Sequence, residues 1–99
     1  MNKENKYILM ADVLRSLAHP TRLKIVEQLS GGEKCVQDLQ RVTGTDMSTV
    51  SRHLSVLKNR EIIDFRRDKT FIYYRLKNKY VLDLFPCVGS VLGTNIEEE

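Results

Sequence analysis

Ninety-nine residues, 41% hydrophobic and 29% charged, make one small folded domain and exclude a multidomain enzyme with separate cofactor and substrate lobes. No apolar run approaches the roughly 18 to 20 residues that span a bilayer, and the opening MNKENKYILMAD lacks a signal-peptide core, so a cytoplasmic protein with no membrane contact is expected. Cys35 and Cys87 are too few and too far apart for a secreted disulfide framework and should start as free thiols.

The net charge of +3 hides an asymmetry along the chain. Residues 1–46 carry seven bases against six acids, residues 47–79 nine against three, and residues 80–99 four acids with no base. A basic block followed by an acidic end suggests a polyanion-binding surface in the middle of the chain.

Tyr7, Met10, Leu14 and Leu17, with Ala11 and Val13 alongside, recur at helical spacing and predict an amphipathic first helix ending near His19. Proline suits a first helical turn and disfavours helix before it, so a second helix should start at Pro20 or Thr21. Leu23, Ile25, Val26 and Leu29 give it a buried face, and Ser30, Gly31 and Gly32 stop it. Residues 33–42 read as a short helix through Val36, Leu39 and Val42, closed by Gly44 in a left-handed turn. Asp46 then offers an N-cap for a helix over residues 47–60, with Val50, Leu54 and Leu57 as its apolar stripe.

The period next changes from helical to two. Residues 62–66 and 71–76 are rich in β-branched and aromatic side chains and predict a hairpin, with residues 67–70 as a glycine-free turn of open type. A last helical stripe follows over residues 79–92 in Val81, Leu84, Phe85, Val88, Val91 and Leu92, where Pro86 implies either a kink or a shorter helix capped by Asp83. Residues 93–99 should form a frayed acidic tail to a domain over residues 1–92. Two short helices joined by a glycine-containing turn, then a basic hairpin, describe a mainly α fold with a β-hairpin wing, a winged helix-turn-helix.

The stretches LAHPTRLKIVEQLSGGEKCVQDL, STVSRHLSVLKNREII and FRRDKTFIYYRL resemble, in order, the signature blocks of the ArsR/SmtB family of metalloregulatory repressors, across residues 10–77. The resemblance implies a homodimer that binds double-stranded operator DNA and releases it when an inducer binds, with the first and last helices as the dimer interface. Tyr7, Met10, Leu14, Leu17, Val81, Leu84, Phe85 and Val88 would form that interface. Periodicity fits this, since those helices carry more apolar surface than so small a core absorbs.

A recognition helix needs short polar side chains and Arg near its N-terminus so that base edges can be reached while its apolar stripe stays locked in the domain. Ser48, Thr49, Ser51, Arg52 and His53 are the candidates, with His53 equally open to a packed role. Met47 stands where family members often place glutamine, so base preference should differ from theirs. Arg66, Arg67 and Lys69 are expected at the hairpin tip, against the backbone or minor groove, and Arg22 at a phosphate-facing helix start. His19 reads as helix punctuation.

Arsenic- and lead-type family members carry E-L-C-V-C-D-L in the first helix of the motif, where this chain reads Glu33, Lys34, Cys35, Val36, Gln37, Asp38, Leu39. Thiophilic ions want two to four sulfurs, and Gln37 replaces the second cysteine, so Cys87 is the candidate partner for Cys35. The last-helix zinc pattern of the family has no histidine here to build it. Three roles stay open for the pair: sensing of arsenite or a soft metal ion, sensing of oxidants or reactive sulfur, and buried inert thiols. No cofactor is required. No nucleophile–base constellation, phosphate-binding glycine loop or metal quartet points to an enzyme, and the other alternative is a non-inducible winged module binding protein or RNA.

Overall fold

A computed structural model describes residues 3–93. In chain order the elements are α1 (Lys3–Leu17), α2 (Pro20–Leu29), β1 (Lys34–Cys35), α3 (Val36–Thr43), α4 (Met47–Asn59), β2 (Ile63–Asp68), β3 (Phe71–Leu76), a 3₁₀ turn (Lys79–Asp83) and α5 (Leu84–Leu92). The three strands form one antiparallel sheet in the order β1-β3-β2.

Caps decide most boundaries. The His19 imidazole accepts the Thr21 N–H at 3.0 Å and Pro20 opens α2, so the corner after α1 is fixed by two adjacent residues. Gly44 ends α3 at φ 70°, a left-handed conformation that a Cβ would disfavour, and its N–H reaches Gln40 O at 3.0 Å. Two residues later the Asp46 carboxylate accepts the Thr49 N–H at 2.7 Å and starts α4. The turn of the helix-turn-helix is thus written by a left-handed glycine and an N-cap.

Ile25, Val26, Leu39, Val50, Leu54, Leu57 and Ile63 are fully enclosed where α2, α3, α4 and the base of the wing meet. Leu17 joins them at 4% exposure, so it belongs to the core of the protomer instead of standing out on α1 with the other proposed interface residues.

Three local expectations change. Residues 33–35 are not helical: Lys34 and Cys35 pair with Tyr74 and Tyr73 of β3, and the helix starts at Val36. β2 runs on to Asp68, opposite Phe71, leaving a turn of only Lys69 and Thr70, with Lys69 taking the positive φ of 59° that a glycine would ordinarily supply. At the C-terminal end the shorter-helix alternative holds: Pro86 falls in the first turn of α5, which lacks a partner for its N–H anyway, while Asp83 makes no side-chain cap. Gly93 closes α5 with φ 73°, and the rest of the expected tail lies outside the described residues.

Candidate nucleic-acid interface

One face of α4 is buried through Val50, Leu54 and Leu57, and the helical repeat turns Ser48, Ser51, Arg52, Ser55 and Lys58 outward. Hydrogen bonds from Thr49 and from the Ser48 hydroxyl, which sits 3.1 Å from Asp46, hold the Asp46 carboxyl below its ordinary pKa. Ser48 is therefore partly committed to the cap, and Thr49 is half-buried. Ser51 and Arg52 are exposed, and Arg52 has no ion pair among the described residues. Lys58, absent from the sequence-derived site, shares this face and sits 4.8 Å above the Phe65 ring of the wing. Its spacing from Ser51 and Ser55 is the signal that would have included it.

His53 is corrected from the expected DNA-facing set. It is 8% exposed and turns inward, its ring 4.4 Å from that of His19. Arg22 is corrected with it. Its Nε donates to Ser16 O at 2.5 Å, Nη2 to Arg15 O at 3.2 Å, and Nη1 lies 3.1 Å from His53 Nδ1. A guanidinium spent on the end of α1 and on His53 is not free to grip a phosphate.

The wing divides its cations in the same way. Arg66 is not at the tip: it lies in β2 opposite Tyr73, forks onto both Glu33 carboxylate oxygens at 2.9 to 3.1 Å, and stacks 4.7 Å from the Tyr73 ring. That bond holds Glu33 below its ordinary pKa and staples the wing to the segment before β1. Arg75 is likewise bonded to Asp64 at 2.7 Å, Lys77 to Glu61, and Arg60 lies 3.4 Å from Asp12. Arg67 and Lys69 are exposed and make no ion pair among the described residues; Arg67 leans on the Phe65 ring at 5.9 Å. Four of the nine bases of residues 47–79 are thereby neutralised locally, and Arg52, Lys58, Arg67 and Lys69 remain on α4 and the wing to meet a polyanion.

The two cysteines occupy different elements. Cys35 is the N-cap residue of α3, half-buried, and its Sγ donates to Asp38 Oδ2 at 3.2 Å. That hydrogen bond, ahead of the nearby Arg41 and Lys34 charges, holds the Asp38 carboxyl below its ordinary pKa. Cys87 is exposed on α5. Both are free thiols, and among the described residues no three His, Cys, Asp or Glu side chains gather into a metal-sized group. Asp38 is the neighbour of Cys35 that the sequence reading passed over, although a three-residue spacing at a helix start is the spacing of a capping contact.

Tyr7, Met10, Leu14 and Val88 are about half-exposed on α1 and α5, with Val81, Leu84 and Phe85 partly covered. Leu14, Leu17, Leu23, Leu84, Phe85 and Val88 line an open apolar groove of about 320 Å³. This exposed apolar surface lies on α1 and α5, the two helices expected to pair.

Two helices set by Gly44 and Asp46, with a three-stranded wing beside them, define a winged helix-turn-helix domain. The family model described as bacterial regulatory protein, arsR family, matches residues 19–64. The transcriptional repressor SdpR of Bacillus subtilis is 34% identical over 75% of this chain and 82% of its own length. A cadmium resistance transcriptional regulatory protein CadC homologue of Staphylococcus aureus is 37% identical over 76% of the chain and 63% of its own length. The homodimeric winged helix-turn-helix DNA-binding domain of a possible ArsR-family regulator from Mycobacterium bovis, solved by NMR, superposes with a TM-score of 0.78 at 30% identity, covering 100% of this chain and 94% of that one. The chain belongs to the ArsR family of bacterial regulatory proteins. It spans 62%, 39% and 58% of the length of three further curated regulators, two from Mycobacterium tuberculosis and one from Synechocystis. These relatives are named as transcriptional regulators or repressors, not as enzymes. No helix among the described residues is long and apolar enough to cross a membrane.

Proposed function

We propose that this chain is a cytoplasmic, homodimeric transcriptional repressor that binds duplex operator DNA through α4 and the wing and releases it when its thiols meet a soft metal or metalloid such as arsenite. The observation that carries the DNA reading is the sorting of the basic block: Arg52, Lys58, Arg67 and Lys69 stand exposed and without an ion pair beside Ser51, while Arg60, Arg66, Arg75 and Lys77 are tied down. Ser51 and Arg52 read base edges, and Arg67 and Lys69 follow the backbone or minor groove. The homodimeric relative supports a dimer, and the half-exposed apolar faces of α1 and α5 supply a surface for pairing that would set two recognition helices on successive major grooves.

The release element is Cys35, with Cys87 as its candidate companion. Two free thiols, the Asp38 carboxylate beside Cys35 and the resistance named for the cadmium regulator support a soft ion as inducer. Binding an ion at Cys35 removes the proton that Asp38 accepts. Because Cys35 pairs with Tyr73 of β3, the change is passed directly to the wing. The test is fluorescence anisotropy on the duplex upstream of the protein's own gene, with reduced protein, then with arsenite or Cd²⁺, and separately with a disulfide or persulfide donor. Release by the ion, abolished by Cys35→Ser, supports the reading; release only by the sulfur donor assigns oxidant or reactive-sulfur sensing instead. Tight binding that nothing relieves overturns thiol sensing, and absence of duplex binding overturns the repressor reading.

A further inference from the structure

His53 is one of only two buried polar side chains among the described residues, and it lies on the recognition helix with its ring toward the corner between α1 and α2. Its Nδ1 is 3.1 Å from Arg22 Nη1. A guanidinium can only donate, so Nδ1 must accept and the imidazole must be the neutral tautomer with its proton on Nε2. His19 is fixed in the same way, because its Nδ1 accepts the Thr21 N–H. Both rings therefore spend their Nδ1 lone pair on the fold, and they stand 4.4 Å apart.

Arg22 completes the connection, with Nε and Nη2 on the Ser16 and Arg15 carbonyls that end α1. One side chain thus ties the last turn of α1 to α4, and its bond to α4 exists only while His53 is unprotonated. The charges acting on His53 are those of His19, Arg22 and Arg52, with no carboxylate among them. Protonation of His53 would set an N–H against the Arg22 N–H.

We propose that Arg22 and His53, with the His19 ring packed against them, form a positioning joint between α1 and α4 that holds the recognition helix at its DNA-binding angle only while His53 is neutral. The inference rests on the operator-binding reading above. Burial, ahead of the His19 and Arg22 charges, lowers the His53 pKa from its ordinary 6.5, which keeps the joint closed at neutral pH. The direction is diagnostic, since added positive charge alone tightens binding to a polyanion, whereas an opened joint weakens it.

The experiment measures duplex affinity by anisotropy, with the DNA from upstream of the protein's own gene, at fixed salt between about pH 7.5 and 5.5. Wild-type affinity should fall about tenfold across that range, the worth of one hydrogen bond to a charged group. His53→Asn places an amide acceptor near the Nδ1 position and cannot protonate, so it should bind at neutral pH and lose the acid-side fall. Parallel NMR of the wild-type protein should show the Arg22 Nη1–H signals, the ones that face His53 Nδ1, collapsing with the titration of His53, a result that needs neither DNA nor the variant. Affinity that is flat or rises at acid pH while His53 titrates overturns the proposal, as does an equal fall in a folded His53→Asn. If no duplex binds at any pH, the repressor reading fails, and Arg22 Nη1–H signals that persist through the His53 titration then overturn the joint on their own.

Discussion

Replacing Lys69 and Arg66 one at a time with alanine tests whether the ion pairs of the free protein predict which cations meet DNA. With Arg52, Lys58, Arg67 and Lys69 free in each protomer, a dimer would neutralise about eight phosphates, and log Kobs should fall against log salt with a slope of about −7. Lys69→Ala removes one contact per protomer and should relax that slope by about 2. Arg66→Ala removes a side chain whose nitrogens are spent on both Glu33 oxygens, so the slope should hold to within about half a unit. Its affinity should still drop at every salt concentration, because the wing loses its fastening to the segment before β1. Anisotropy titrations between about 50 and 200 mM salt measure both numbers. Equal slope changes in the two variants would refute the reasoning, since Arg66 would then leave Glu33 for a phosphate.

Other perturbations follow from the same structure. Leu54→Ala, at a position 1% exposed, should cost about 2–5 kcal/mol and lower the melting temperature by roughly 10 °C or more. Gly44→Ala forces a Cβ into φ 70° and should cost about 1 kcal/mol in a denaturant titration, with Gly44→Asn milder. Val88→Glu, on the half-exposed face of α5, should leave the melting of the protomer nearly unchanged but shift sedimentation from dimer to monomer. Thermal stability should also depend on pH through His53: its folded pKa lies below 6.5, so the unfolded chain takes up the proton first. The contribution is complete above that value and is lost as pH falls from 6.5 toward the lowered folded value, which melts across that window will show.

Element identity was legible wherever a cap or a long period spoke. Pro20, Gly44 and Asp46 carry their geometry in their own chemistry, so the helix-turn-helix could be placed to within a residue or two. Residues 33–35 misled because Val36, Leu39 and Val42 extend a helical period backward, whereas Lys34 and Cys35 are claimed by backbone pairing with Tyr74 and Tyr73, some forty residues on. The wing tip was misjudged for a related reason: without a glycine the turn looked long, but the cross-strand partners of Arg67 and Asp68 hold them in the ladder, leaving Lys69 to take the positive φ.

The site was legible by composition and illegible by assignment. Counting charges located the basic block, yet a count cannot tell Arg66 from Lys69, which differ in whether a carboxylate 33 residues away in sequence arrives within hydrogen-bonding distance. Arg22 and His53 show the same limit from the other side. Each has the chemistry of a DNA contact, but the Arg15 and Ser16 carbonyls left at the end of α1 take up Arg22, and Arg22 in turn meets the inward-facing His53. A residue that meets a partner inside its own fold is withdrawn from the outer surface, and Ser51 with the cations Arg52, Lys58, Arg67 and Lys69 is left exposed on α4 and the wing, without an ion pair among the described residues. The proposed interface is therefore what remains after the fold has taken its own hydrogen bonds, and its candidate residues are found by subtraction.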